Sequence, residues 1–212
     1  MADALESKPE FFGKTAAPRV GDLFEWYKGR AQSGALQADQ ILRGLQLALG
    51  SIWPGRLEID GFNLGDVWRY EPFGEDWVPF HKLSQWLSYS LIEPLIGAGL
   101  KIVEVDRLTG LPEYRNGGLF LDLEVLKLRD ARLAQKAHRP DSALVIEWRA
   151  LTVELLERIA PEVRSRLGLS RDQFPLGKVL EGGTWASGRR IAAEKRPDGG
   201  PPLMIESDGT VF

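Results

Sequence analysis

A dense group of polar side chains lies between a proline and a glycine pair near the middle of the chain. An acid, a phenol, a guanidinium and an amide follow one another there, as Glu113, Tyr114, Arg115 and Asn116. Pro112 restricts the residue before it to extended angles, and Gly117 and Gly118 permit backbone angles that other residues avoid. We expect a constrained turn that leads into a helix and presents these side chains to a ligand. The alternative is a helix cap in which Glu113 offsets the helix dipole and Arg115 pairs with it.

Two further acids lie close to aromatic residues. On a predicted helix over 142–167, Glu147 lies roughly 80° from the centre of the apolar stripe, which predicts partial burial. Glu181 precedes two glycines and is near Trp185, which places an acid beside open backbone and a flat aromatic surface. Either acid can also be an ordinary surface residue. Together with Glu113 they are the candidate catalytic carboxylates.

The sequence lacks the familiar metal, nucleotide and nucleophile motifs. It has no cysteine and two histidines, His81 and His138, which are far apart, so we expect no metal and no cofactor. The segment 183–190 has the glycine spacing of a phosphate-binding P-loop, but arginines replace the lysine and the hydroxyl residue that follows it. We expect His138 in a solvated loop, whereas His81, at the start of an aromatic helix, remains a candidate ligand contact.

Composition limits the class of protein. The chain has 212 residues, of which 43% are hydrophobic and 9% aromatic, enough to bury a core, and we expect a single domain over 1–212. A net charge of -3 argues against a broad surface for nucleic acid or anionic membranes. The first residues lack a basic segment followed by an apolar run, and no stretch is apolar enough to span a bilayer. We therefore expect a cytoplasmic protein with neither nucleic acid nor membrane as partner.

Hydrophobic spacing predicts a mainly α protein with a few short strands or extended segments. The predicted helices cover about 22–30, 39–49 with Asp39 as cap, 79–98, 119–128, 142–167 and 176–193. The apolar stripe of the 142–167 helix contains Leu144, Trp148, Leu151, Leu155 and Ile159. Extended structure is predicted as a loop or hairpin over 57–77, a strand over 101–105 and a strand and turn over 203–212. Residues 135–141 are predicted to form an exposed loop.

Six motifs in order give the chain a close resemblance to the fungal and bacterial uracil catabolism protein 4 family. They are Gly65-Asp-Val-Trp-Arg69, Val78-Pro-Phe-His-Lys-Leu-Ser-Gln-Trp86, Leu111-Pro-Glu-Tyr-Arg-Asn-Gly-Gly118, Glu147-Trp-Arg-Ala-Leu-Thr152, Lys178-Val-Leu-Glu-Gly-Gly-Thr-Trp185 and Ser207-Asp-Gly-Thr-Val-Phe212. The resemblance corresponds to the C-terminal half of a typical member. We therefore expect a fragment, or one part of a split protein, with a missing N-terminal half or another pathway enzyme as its partner.

A weaker resemblance links the chain to the queuosine salvage proteins, which are helical, DNA-glycosylase-like hydrolases of an N-glycosidic bond. It rests on the order of Lys82-x-x-Gln85, Leu108-Thr109, Glu113-Tyr-Arg115, Glu147-x-Arg149 and Leu180-Glu181 to Trp185. The resemblance implies a DNA-glycosylase-like fold. Two departures matter, because that family has Asp in place of Glu113 and its nucleophilic Asp aligns with Ala186.

The two resemblances imply a hydrolase of pyrimidine degradation that cleaves the ribosyl C–N bond of a ribosylurea phosphate and releases urea. Such cleavage develops oxocarbenium character, which carboxylates stabilise or attack. Glu113 and Glu181 are then the candidate carboxylates, and Glu147 orients Arg149 or the substrate. The implied contacts to a sugar-phosphate or nucleotide-derived substrate are Asp66, His81, Lys82, Gln85, Trp86, Tyr114, Arg115, Asn116, Arg149, Trp185 and Arg189.

Two other functions remain open. A non-catalytic binding or scaffold protein of the same pathway fits the alanine at position 186. A hydrolase that acts on the ureido group itself fits the same acids but releases ammonia and carbon dioxide.

Overall fold

A computed structural model describes residues 1–14, 17–74, 76–207 and 209–210, and it is 55% helical with few short strands. The helices are α1 (Ala2–Glu6), α2 (Pro9–Phe12), α3 (Leu23–Lys28), α4 (Ala38–Leu49), α5 (Lys82–Gly97), α6 (Tyr114–Asp122), α7 (Ala143–Leu167), α8 (Leu176–Lys178) and α9 (Ala186–Lys195). The strands are β1 (Ala35–Gln37), β2 (Glu58–Ile59), β3 (Phe62–Asn63), β4 (Val67–Tyr70), β5 (Asp76–Pro79), β6 (Lys101–Val103), β7 (Ala137–His138) and β8 (Met204–Ile205). The mainly α prediction is confirmed.

The chain divides into two compact units. Unit 1 comprises Met1–Val67 and Leu83–Leu108, and unit 2 comprises Trp68–Lys82 and Thr109–Phe212. The single domain and the DNA-glycosylase-like fold stay predictions. Three residues of the predicted C-terminal strand and turn, Asp208, Val211 and Phe212, lie outside the described residues.

Unit 1 is built around the apolar face of α4. Ile41, Leu45 and Leu49 are buried there, as their spacing predicted, and the Tyr27 hydroxyl donates to the Ile41 carbonyl over 2.9 Å. β1 pairs in parallel with β6, and β2 and β3 form a hairpin, one of the two alternatives predicted within 57–77. The predicted cap is wrong, because Gln37 precedes the helix and Asp39 lies in its first turn. The Asp39 carboxylate instead accepts a 3.1 Å bond from Arg107.

Unit 2 is built around α7, whose predicted extent is confirmed. Its core cluster comprises Trp68, Tyr70, Phe80, Val145, Ile146, Trp148 and Leu203. The predicted stripe is displaced by about one residue, since Val145, Arg149, Thr152, Leu156 and Ala160 are buried, whereas Leu151 is 38% exposed. The apolar pattern misses this face because it contains a buried arginine and a buried threonine.

Two other predictions in unit 2 need correction. α6 begins at Tyr114 and ends at Asp122, so 119–128 was wrong at both ends; Glu113 caps the start, and the Leu126 amide turns back to the Phe120 carbonyl. His138 is 7% exposed, so it is not a solvated loop residue. It lies in β7, which pairs in parallel with β8, and its Nε2 is 2.6 Å from the Leu133 carbonyl.

None of the helices in the described ranges has the length and apolar character needed to cross a bilayer.

Candidate functional site

Glu113 forms the N-cap of α6. Its backbone is extended, and its two carboxylate oxygens accept hydrogen bonds from the backbone amides of Arg115 at 2.9 Å and Asn116 at 2.5 Å. These amides belong to the first turn, where no preceding carbonyl of the helix can reach them. The cap that the sequence offered as an alternative is therefore present.

The pKa of the Glu113 carboxyl is raised, and burial is the largest cause because it penalises the charged form. The two amide bonds and the nearby charges of Lys82 and Arg115 act in the opposite direction. Lys82 opens α5 and is itself 9% exposed. Glu113 is thus a carboxyl whose protonation is governed by competing local effects, as in groups that transfer protons.

Arg149 is fully buried beside the residue that precedes Glu113. Its Nε donates to the Pro112 carbonyl over 3.3 Å, and its guanidinium carbon lies 4.1 Å from the centre of the Phe80 ring. An arginine without any exposed surface needs such partners, since burying a charge is costly. It fixes the turn that places Glu113.

Arg115 does not form the side-chain pair with Glu113 that the cap alternative proposed. Its guanidinium donates to the Gly199 carbonyl over 2.6 Å and lies 4.6 Å from the centre of the Tyr114 ring. Tyr114 and Arg115 are both half-buried. The backbone of Arg115, not its side chain, binds the Glu113 carboxylate.

Asn116 is 1% exposed and connects the start of α6 to a neighbouring segment. Its Oδ1 accepts a 2.8 Å bond from the Thr184 hydroxyl, and its Nδ2 donates to the Leu111 carbonyl over 3.2 Å. The two glycines after it allow close packing and not unusual angles. A Cβ on Gly117 would lie 2.8 Å from Nε1 of Trp148.

A π-helical turn over Val179–Trp185 joins α8 to α9 and contains Thr184. Glu181 and Ala186 are exposed, and Trp185 is 39% exposed with the guanidinium carbon of Arg189 5.0 Å from its ring centre. Glu181 and Trp185 belong to the turn and Arg189 to α9, and their roles at a site stay predictions. Turns of this kind are frequent at functional sites.

Glu147 is exposed, so the expected partial burial is wrong. Its carboxylate accepts a hydrogen bond from Tyr70, whose pKa is raised by burial and by the nearby charge of Glu147. The buried face of α7 is rotated by about one residue from the predicted stripe, so Glu147 lies on the side of the helix opposite to the buried face.

Three predicted contacts belong to unit 1. Asp66 is 9% exposed, Gln85 is 6% exposed and Trp86 is 61% exposed. The Oε1 atom of Gln85 is buried without a hydrogen-bond partner among the described residues. In unit 2, His81 precedes α5 with a left-handed φ of 49°. The roles predicted for all these residues in substrate binding stay predictions.

Within the described ranges no group of three or more histidine and acidic side chains is arranged to hold a metal ion.

A family model described as a protein of unknown function, DUF1688, matches residues 1–212. The chain belongs to the DUF1688 family. Uracil catabolism protein 4 of Lachancea kluyveri is 40% identical over 239 residues, which cover 99% of this chain and 54% of that protein. Protein urg3 of Schizosaccharomyces pombe is 44% identical over 183 residues, with coverage of 85% and 46%. The resemblance to the uracil catabolism protein 4 family is confirmed, and this DUF1688 chain spans about half the length of these curated relatives.

Sequence reasoning missed several residues of this DUF1688 chain that position the site. Thr184 holds Asn116, Phe80 covers the Arg149 guanidinium, and Tyr70 binds Glu147. Phe80 and Thr184 lie inside two of the six motifs of the family resemblance, so their positions carried a usable signal. Tyr70 directly follows one of those motifs and had no other signal.

Proposed function

We propose that this chain is part of a protein of uracil catabolism, and that unit 2 carries hydrolysis of the ribosyl C–N bond of a ribosylurea phosphate. The pathway is supported by the name of the Lachancea kluyveri relative. The chemistry is supported above all by Glu113, a half-buried carboxyl whose pKa is raised and which lies near the charge of Lys82. The similarity in motif order to the queuosine salvage proteins favours the same type of bond.

In the proposed reaction, water forms a bond to C1 of the ribose while the bond from C1 to the urea nitrogen breaks. The leaving nitrogen takes a proton, and the attacking water gives one up, so the products are urea and ribose phosphate. A carboxyl with a raised pKa keeps its proton to a higher pH, which suits Glu113 as the general acid. An exposed carboxylate such as Glu181 would accept the proton of water or stabilise the positive charge on the sugar.

Cationic side chains of unit 2 would bind the phosphate and hydroxyl groups. Arg189 presents a guanidinium over Trp185, and Arg115 another over Tyr114. A guanidinium suits phosphate because it donates two parallel hydrogen bonds to neighbouring oxygens. Lys82 adds a compact positive charge near Glu113.

The test is incubation of the protein with synthetic ribosylurea 5-phosphate, with urea and ribose 5-phosphate both quantified. Glu113→Gln should lower turnover by about a hundredfold or more, because general acid catalysis contributes factors of that size. Glu154→Gln is the matched control, since Glu154 is exposed and pairs only within α7 among the described contacts. The same assay on the full-length Lachancea kluyveri relative accounts for the shorter chain. Absence of urea from both proteins would refute the proposal.

A second candidate is a binding protein that holds the ribosylurea phosphate without turnover. Ala186, which aligns with the nucleophilic acid of the salvage family, is exposed and has no group that can react. Calorimetric binding of the compound without product would support this candidate. Release of ammonia and carbon dioxide would instead indicate hydrolysis of the ureido group.

A further inference from the structure

Two hydrogen bonds of Asn116, one at its side chain and one at its backbone, link the π-helical turn to the Glu113 carboxyl. The Thr184 hydroxyl donates to Oδ1 of Asn116 over 2.8 Å, and the Asn116 backbone amide donates to Oε1 of Glu113 over 2.5 Å. Thr184 is 4% exposed and Asn116 is 1% exposed. Neither hydroxyl nor amide can exchange its partner for water at no cost, because both are buried.

The Asn116 side chain also secures the segment before Glu113. Its Nδ2 donates to the Leu111 carbonyl over 3.2 Å, and the Glu113 amide donates to the same carbonyl over 2.9 Å. The Leu111 carbonyl can only accept, so it holds Nδ2 of Asn116 on its side and leaves Oδ1 to accept the Thr184 hydroxyl. Loss of the Thr184 hydroxyl would leave Oδ1 of Asn116 buried without its donor, which favours a rotation of this side chain that also breaks its bond to the Leu111 carbonyl beside Glu113.

A second contact holds the same two elements in register. Gly188 of α9 approaches α6 so closely that a Cβ would lie 2.1 Å from the Arg115 carbonyl oxygen. Thr184 and Gly188 are both buried on the side of this segment that faces α6, while Glu181, Trp185 and Arg189 are exposed. The π-helical turn thus directs the buried Thr184 hydroxyl toward α6, whereas its Glu181 and Trp185 side chains lie at the surface.

We propose that Thr184 is a positioning residue which, through its hydrogen bond to Asn116, fixes the orientation of the Glu113 carboxyl at the start of α6. Thr184 has no contact with substrate in this role and acts only through Asn116. The inference deepens the proposed function and rests on it for its effect on turnover, but its effect on Glu113 is independent of any substrate.

The test compares Thr184→Val, which keeps the shape and removes the hydroxyl, with Thr184→Ser, which keeps the hydroxyl. The titration of Glu113 is followed by the 13C signal of its carboxyl in labelled protein, assigned with Glu113→Gln. Thr184→Val should raise the pKa of Glu113 further. A displaced Asn116 side chain shifts the Asn116 backbone N–H away from the carboxylate, and the bond from this N–H lowers the pKa. Thr184→Ser should restore the wild-type titration. The other charges that act on Glu113, those of Lys82 and Arg115, are unchanged in both variants.

Ser88→Ala is the matched control, since it removes a fully buried hydroxyl that is bonded within α5 of unit 1. An unaltered Glu113 titration in Thr184→Val, or an equal change in Ser88→Ala, overturns the inference. If the valine variant does not fold, Thr184→Ala, which adds no atoms, is measured against Thr184→Ser with the same two criteria.

With ribosylurea 5-phosphate, kcat of Thr184→Val should fall about tenfold or more with KM within about twofold, because misplacing a reacting group slows chemistry more than binding. Thr184→Ser should recover kcat. If wild-type protein releases no urea while the titration behaves as expected, the proposed function fails and the positioning role of Thr184 stands. A fall in kcat that Thr184→Ser does not recover contradicts that role.

Discussion

Glu113 and Glu147 are two glutamates near the starts of neighbouring helices of unit 2, and their surroundings differ. Glu113 caps α6, is half-buried and accepts hydrogen bonds from two backbone amides, whereas Glu147 lies on α7, is exposed and accepts a hydrogen bond from the hydroxyl of Tyr70. Burial raises the pKa of Glu113. The chemistry of a carboxyl in this fold therefore depends on how its helix is packed.

The largest effect should come from disturbing the packing that holds the Glu113 end of α6. In Gly188→Ala, the new Cβ would lie 2.1 Å from the Arg115 carbonyl oxygen, a backbone atom that cannot rotate away. We expect a loss of about 3 kcal/mol in the free energy of unfolding, measured with urea. Gly183→Ala is the control, since its Cβ meets no atom within 4 Å, and its stability should change by no more than about 1 kcal/mol in the stabilising direction. Equal values for the two variants would refute the packing account.

Asp122, at the last residue of α6, and Asp141 provide a second comparison of a buried with an exposed acid. Asp122 is almost fully buried and accepts two bonds from Arg196, at 2.7 and 2.5 Å. Asp122→Asn should lower the free energy of unfolding by about 2 kcal/mol, because a largely desolvated guanidinium loses its counter-charge. Asp141→Asn removes an equally short but exposed pair with Arg139 and should cost less than about 0.5 kcal/mol. Thermal and urea unfolding of both variants measure these two losses in the free energy of unfolding.

The dependence of stability on pH tests Glu113 directly. Its pKa in the folded state is above the ordinary value of 4.5, so the folded state binds the proton more tightly than the unfolded state. Its contribution to stability is complete below pH 4.5 and is lost as the pH rises through the raised value. Relative to Glu113→Gln, the wild-type protein should therefore become less stable as the pH increases from about 4 to 7.

Urea unfolding at several pH values measures that difference, and Glu147→Gln provides the exposed counterpart in the comparison. A wild-type protein that gains stability over Glu113→Gln with rising pH would mean that the amide bonds and Lys82 outweigh burial.

A smaller effect than those at Gly188 and Asp122 should follow from Tyr70→Phe. This change removes only the hydroxyl that donates to Glu147, and the acceptor stays in contact with water because it is exposed. We expect a loss of about 0.5–1 kcal/mol in the free energy of unfolding. A loss comparable to that of Gly188→Ala would show that the contact between Tyr70 and Glu147 contributes as much to the free energy of unfolding as the packing at the Glu113 end of α6.

The helices that could be predicted are those whose apolar residues alone define the buried face. α4 buries Ile41, Leu45 and Leu49 as their spacing indicates. The extent of α7 was predicted well, but its face was not, since Arg149 and Thr152 are fully buried and hydrophobic periodicity assigns such residues to solvent.

The site was predicted only in part, because its local features can be inferred from the sequence and its tertiary contacts cannot. Local stereochemistry offered the cap at Glu113 as an alternative, although the helix itself was predicted to begin at 119. The bond between Thr184 and Asn116 joins positions 68 residues apart, and a π-helical turn has no residue pattern that distinguishes it from an ordinary helix with glycines. Tertiary contacts of this kind cannot be obtained from spacing along the chain.

The π-helical turn over Val179–Trp185 also affects how homologous sequences are aligned. Each hydrogen bond of such a turn spans five residues where an ordinary helix spans four, so the turn holds about one extra residue and rotates the start of α9 by about 100°. Alignment against a protein with a regular helix here requires a one-residue gap. The residue aligned with Ala186 then depends on whether this gap is placed before or after Trp185. An acid that an ungapped alignment places at Ala186 can therefore correspond to Ser187.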